Sequence, residues 1–152
     1  VISAIAVFLI AVSLGAQEKS SDQYISDLQS SDPLVQIEAC RNLGKKKETN
    51  AINPLIQLLQ NAGDREVKWN AAMALGMIGK AGPATDALLM SAREDKTKAV
   101  RYASLLGLAN LIKDDSEKSA QIKEVMQWTK KESDDDLAKD LVTKFMEKHG
   151  LE

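Results

Sequence analysis

The sequence predicts an all-α protein, a right-handed α-solenoid of about three and a half helix-pair repeats, and three observations carry that expectation. The first is recurrence. Residues 64–79, DREVKWNAAMALGMIG, read as one amphipathic helix. A related run, DPLVQIEACRNLG, begins 32 positions earlier at Asp32; another, DKTKAVRYASLLG, begins 31 positions later at Asp95. A weaker copy, DDDLAKDLVTKFM, opens at Asp134. Units of this size cannot bury their own apolar faces, so they stack and share one interior. The second observation is helical spacing of apolar residues within each copy. The third is composition: aromatics are 4% of the chain, and beyond residue 16 no run alternates as a strand would.

The N-terminus is a separate unit. Residues 1–14, VISAIAVFLIAVSL, carry no charge, and polarity begins abruptly at Gln17. An apolar core closing on Gly15 and Ala16 matches a secretory signal, with Leu14 and Ala16 third and first before the cut. We therefore expect residues 1–16 to be a cleaved signal peptide and the protein to be periplasmic or secreted. An uncleaved anchor helix is the alternative, since about 20 apolar residues span a bilayer. No initiator Met or basic leader precedes this run, so a truncated start is expected. No Cys follows the cut, which argues against a lipid anchor.

Residues 17–31 are expected to form a linker and a short leading helix with Tyr24, Ile25 and Leu28 on one side. The repeat domain follows over residues 32–150. Its repeats span about 32–63, 64–94 and 95–133, with a capping helix at 134–149. In the first repeat, Asp32 caps a helix that starts with Pro33 and ends near Gly44. A second helix from about Thr49 to Asn61 buries Ile52, Leu55, Ile56, Leu58 and Leu59. Gly63 suits a left-handed terminal position before Asp64 caps the next helix. The second repeat turns at 79–83 into a helix from Ala84 to about Arg93. The third runs from Lys96 to about Ile112 and carries an insertion before a partner helix starting near Asp115 or Ser116. The last copy places Leu137, Leu141, Val142 and Phe145 inward beneath a charged outer side.

Repeated positions have physical jobs. The opening Asp residues accept from orphan N–H groups. Cys40, Ala72 and Ala103 let helices approach, and Leu43, Leu75 and Leu106 fill between layers. Gly44, Gly76 and Gly107 follow, and a helical Gly costs about 1 kcal/mol against Ala, so its recurrence predicts a crowded crossing. Cys40 reads as small, buried and inert, with intermolecular pairing the alternative. Trp69, aligned with Ile37 and Val100, reads as core, and Tyr102 as a rim residue.

The pattern Asp-x7-small-x-x-Leu-Gly, followed by a helix such as 53–59 (NPLIQLL), resembles the HEAT repeat family, closest to its short bacterial type named after phycobilisome lyase subunits. The resemblance covers roughly 32–148. It implies a solenoid whose second helices line a concave surface that holds a protein or peptide. Metal-dependent hydroxylases of this architecture use paired His-Glu dipeptides, and the one histidine here, His149, is followed by Gly150. The lyase resemblance transfers no catalytic motif.

With 20 basic and 22 acidic side chains, the charge balance argues against nucleic acid or an anionic membrane as partner. No phosphate loop, nucleophile elbow or zinc spacing occurs. Lys45, Lys46 and Lys47 read as a solvated loop, and Asp134, Asp135 and Asp136 as a helix cap rather than a calcium loop. No cofactor, metal or catalytic residue is expected. The candidate partner-binding residues are the outward positions of the second helices: Asn53, Gln57 and Gln60, then Asp86, Met90 and Arg93, then Glu124 and Gln127. Trp128 either packs on the last helix or stands as an exposed anchor. The expected function is a non-catalytic scaffold or adaptor binding a protein or peptide. The alternative is an accessory subunit presenting a substrate protein or pigment to a catalytic partner.

Overall fold

Four α-helices begin where the sequence supplies a side-chain cap. A computed structural model describes residues 18–151; the expected signal segment, 1–16, lies outside them. Ser20 and Gln23 form a reciprocal capping box that opens α1 (Ser21–Asp27). Asp32 caps α2 (Pro33–Lys45), with proline at the first helical position. A 3-10 turn (Thr49–Ala51) leads into α3 (Ile52–Asn61). Asp64 accepts from two backbone N–H groups at the start of α4 (Arg65–Ile78), and Gly79, left-handed at φ 71°, ends it. There follow α5 (Pro83–Glu94), α6 (Lys98–Leu111), α7 (Ser119–Glu132) and α8 (Asp136–His149). The described residues are all-helical, without a strand.

The helices stack in sequence order in two layers. In the first, α4 lies tightly against α2 on one side and α6 on the other, and α8 follows less closely. In the second, α3, α5 and α7 touch one another far less. The most intimate antiparallel pairs are α3–α4, α5–α6 and α7–α8, each joined by a short turn, so they straddle the boundaries of the sequence repeat. Leu43, Leu55, Leu75, Leu88, Leu108 and Ile122 form one continuous interior, each fully buried.

Several sequence expectations are corrected. Asp95 does not cap α6; its carboxylate accepts from the Thr97 N–H and pairs with Lys68, and α6 starts at Lys98. Thr97 thus stands where Asp64 stands in the previous unit, an offset of 33 rather than 31. The burial pattern agrees: Val67, Leu75 and Ile78 correspond to Val100, Leu108 and Leu111, all buried. Leu108, not Leu106, therefore fills the space between layers, and Leu106 is half-buried. Gly63 is not left-handed; that conformation falls to Gly79 and Gly150. The second helix of the third unit starts at Ser119, after a loop over 112–118. Leu137 is 73% exposed rather than inward, because it immediately follows the first helical residue on the outer side of α8. The last copy is capped by Asp135, one residue after the expected Asp134.

The crossing of α4 and α6 is as crowded as recurrent glycine predicts. A Cβ on Gly76 would lie 2.5 Å from the Gly107 Cα, and at the α2–α4 crossing one on Gly44 would lie 3.0 Å from the Ala74 Cα. Cys40 is fully buried, and burial pushes its thiol up to about 12, far from thiolate chemistry.

The inserted loop has a structural task. Gly82 begins α5 without any side-chain cap, and Asp115 supplies one from the next unit. Its Oδ2 accepts from the Gly82 N–H and the Thr85 hydroxyl, while Oδ1 accepts from the Lys118 N–H. Burial alone pushes this carboxyl up, but the three hydrogen bonds and the Lys118 charge outweigh it and hold it below the ordinary carboxylate range. Asp115→Ala is expected to lower stability by about 1–3 kcal/mol, since Gly82 and Thr85 lose their acceptor. A group depressed in the folded state stabilises above its unfolded value, and that contribution is lost as pH falls through the folded value. Urea melts at neutral pH and in progressively stronger acid check this: the gap between native and variant should narrow as pH falls below 3.8, the ordinary value.

Candidate functional site

Two faces of the stack could meet a partner, and they differ in chemistry. The first is the outer side of α2, α4, α6 and α8. Each helix presents residues at i, i+3, i+7 and i+11, which form one stripe along a helix. Because the N-caps Asp32, Asp64, Thr97 and Asp135 set a common register, the stripes line up as four rows across the layer. From the helix N-termini onward they are Leu34, Glu66, Ala99, Leu137; then Ile37, Trp69, Tyr102, Asp140. The third is Arg41, Met73, Leu106, Lys144, and the fourth Lys45, Met77, Asn110, Lys148. All are half-buried or exposed.

The centre of this face is apolar and ordered by contact. The Trp69 and Tyr102 rings are nearly parallel, 5° apart, with centroids at 6.1 Å. Met73 and Leu106 continue beside them, and Met77 is 38% exposed. Arg41 donates from Nε to the Asn70 Oδ1 at 2.9 Å, tying α2 to α4 at the edge of the patch. Trp69 is therefore not the core residue its apolar neighbours in sequence suggest. It fills the outer position that Tyr102 fills one unit later. The shared pattern Val-basic-aromatic in 67–69 and 100–102 is the signal that would have found it.

The second face is that of α3, α5 and α7, and all nine sequence-predicted site residues are exposed on these helices. The structure brings four of them together around two grooves that meet at Met90, itself 46% exposed. Gln60 and Met90 line a groove of about 430 Å³ together with Leu59, Ala87 and Ser91. Met90, Arg93 and Glu124 line another of about 270 Å³ with Leu89 and Val125. Asn53, Gln57, Asp86, Gln127 and Trp128 lie outside both. Much of this face is satisfied internally: Arg93 pairs with Glu124 at 2.7 Å, Asp86 with Lys118, and Asn61 donates to Gln57. Trp128 is 37% exposed.

The turns between layers are fastened by charge. Lys68 pairs with Asp95 at 3.0 Å, and one unit later Arg101 pairs with Asp134 at 2.8 Å while also donating to the Asp95 carbonyl. Lys98, with Arg101, holds the Asp134 carboxyl below its usual range, the Lys98 hydrogen bond contributing most. These groups are spoken for as struts. Among the described residues no group of His, Cys, Asp and Glu is placed to hold a metal ion, and no helix is long and apolar enough to cross a membrane.

In comparison with known proteins, the family described as HEAT repeats matches residues 22–109, more than half of the 152-residue chain. No curated protein matches it.

Proposed function

Because the chain belongs to the HEAT repeat family, whose members commonly act as protein-interaction scaffolds, we propose that it is a non-catalytic scaffold that holds a protein segment on the face of α2, α4, α6 and α8. The observation that carries this reading is the aromatic and methionine patch around the stacked Trp69 and Tyr102 rings. Binding energy concentrates in aromatic and other large apolar anchors that are already held in place. The second face offers charges that are paired, Arg93 with Glu124 and Asp86 with Lys118, and amides, of which Gln57 accepts from Asn61. Curvature supports the same choice: a two-layer stack bends toward its tighter layer, and Gly76 against Gly107 makes the first layer the tighter one. On this reading the inside of the bend belongs to the first helices, whereas the family resemblance implies the second.

A second reading keeps the sequence-predicted residues, because the two grooves joined at Met90 could seat a segment beside Gln60 and Arg93. The small-residue exit at Gly15 and Ala16 supports a place outside the cytoplasm as part of the same proposal. A photo-reactive residue installed at position 73 or at position 90 of the full chain separates the faces. Adducts with a partner protein at 73 and none at 90 are the expected result. Adducts at 90 alone would move the site to the second helices.

A further inference from the structure

We propose that the segment bound on the first-layer face is acidic and amphipathic, with apolar anchors at its middle and carboxylates toward both ends. The inference rests on the reading of that face as the binding surface. It comes from the two rows nearest the helix C-termini. Their centres are Met73, Leu106, Met77 and Asn110, and their ends are all cationic: Arg41 and Lys45 on α2, Lys144 and Lys148 on α8. Neither row contains a carboxylate. This concentration stands out in a chain whose net charge is −2.

The ordinary explanation of a basic residue near a helix C-terminus is the macrodipole, and it covers Lys45 and Lys148, which sit in last turns. It does not cover Arg41 and Lys144, which lie earlier in their helices. Lys144 does have a neighbour, Asp140 at 2.7 Å, but both are exposed and one turn apart, so water and salt screen the pair. Of the other acids nearby, Glu147 stands on the exposed side of α8 one turn after Lys144, whereas Glu66 and Glu38 lie elsewhere in the layout. Glu66 is in the row at the opposite end of α4, beside Arg65. Glu38 lies on the α1 side of α2, where it acts on Lys19. The half-face is therefore cationic at its α2 end, apolar at its centre, and cationic in its two rows at the α8 end, where Asp140 and Glu147 stand beside the lysines.

Complementarity fixes what fits. From α2 to α8 is three interhelical steps of about 8–10 Å, or roughly 24–30 Å. An extended segment covers that in about eight residues, a helix in about 16–20. Carboxylates at its two ends would meet the cations, and apolar side chains between them would seat on Met73, Leu106 and Met77. Such charge pairs at a rim set partner choice and association rate more than bulk affinity.

The test is selection of random displayed peptides of about 16 residues on the immobilised full chain. The enriched sequences are expected to be acidic toward their ends and apolar at their centres. Selection on the variant carrying Arg41→Glu, Lys45→Glu, Lys144→Glu and Lys148→Glu should enrich basic ends instead. An acidic peptide from the first selection should lose about tenfold in affinity on that variant. Should the variant fail to fold, the native chain still decides: raising salt should weaken the acidic peptide, since exposed charge pairs are screened. Neutral or basic peptides that still lose binding to Trp69→Ala would overturn the charge inference and leave the face. Peptides indifferent to Trp69→Ala would overturn the face itself, and no enrichment would overturn both.

Discussion

Gly76→Ala is expected to lower the stability of the fold by about 2–3 kcal/mol, although alanine is the better helix former by about 1 kcal/mol. The added methyl would sit 2.5 Å from the Gly107 Cα, and backbone cannot rotate aside as a side chain can. Relief requires α4 and α6 to part, and α4 is the helix held between α2 and α6, so the whole first layer feels the change. A loss of this size shifts the melting temperature by roughly 8 °C for a domain of this length. Two companion variants make the result specific. Gly107→Ala aims its methyl at the Leu88 side chain at 3.0 Å, which can turn, so its cost should stay nearer about 1 kcal/mol. Gly63→Ala meets nothing within 4 Å and should fall within about 0.5 kcal/mol of native. Urea denaturation of the three orders them. A Gly76→Ala protein as stable as native would mean that the two helices cross at a wider spacing than described.

That crossing also marks how far the sequence could be read. The helices were legible because apolar spacing and caps agree: Asp32 and Asp64 cap the helices they precede, and the buried residues of α4 recur in α6. The register of the third unit was not. Aligning on Gly107 placed Asp95 at the start, because a Leu-Gly pair is conspicuous. The structure aligns Val67, Lys68 and Trp69 with Val100, Arg101 and Tyr102 instead, since side-chain volume against α5 decides which residues turn inward. The choice of face was harder still. Periodicity says that a helix has an outside, but it does not say which layer of a stack is tighter. The close approaches of the first layer do lie at small residues, Gly44 against Ala74 and Gly76 against Gly107, but α5 buries Ala84, Ala87, Ser91 and Ala92 as well, so small residues alone do not choose a face. Trp69 shows the same gap from the other side. An apolar residue in an apolar repeat reads as core until the register shows that its partner, Tyr102, is also half-exposed.

Trp69→Ala is expected to weaken partner binding by about 2–4 kcal/mol, a loss of roughly 30- to 1000-fold in affinity. The indole lies at the middle of the patch, stacked on Tyr102 with centroids 6.1 Å apart, so its position is fixed before any partner arrives and little ordering entropy is spent on binding. Truncation removes the largest anchor and frees the Tyr102 ring as well. Because Trp69 also packs against the interior, the variant loses some stability, and affinity must be compared at a temperature where both proteins are folded. Trp69→Phe keeps a ring on Tyr102 and should retain most of the affinity, which a purely structural role would not distinguish from alanine in the same order. Met90→Ala, on the opposite face, should change affinity by less than about threefold. If Met90→Ala costs more than Trp69→Ala in a titration against the same partner, the segment runs along α3, α5 and α7, and the stacked rings of the first layer are there for packing alone.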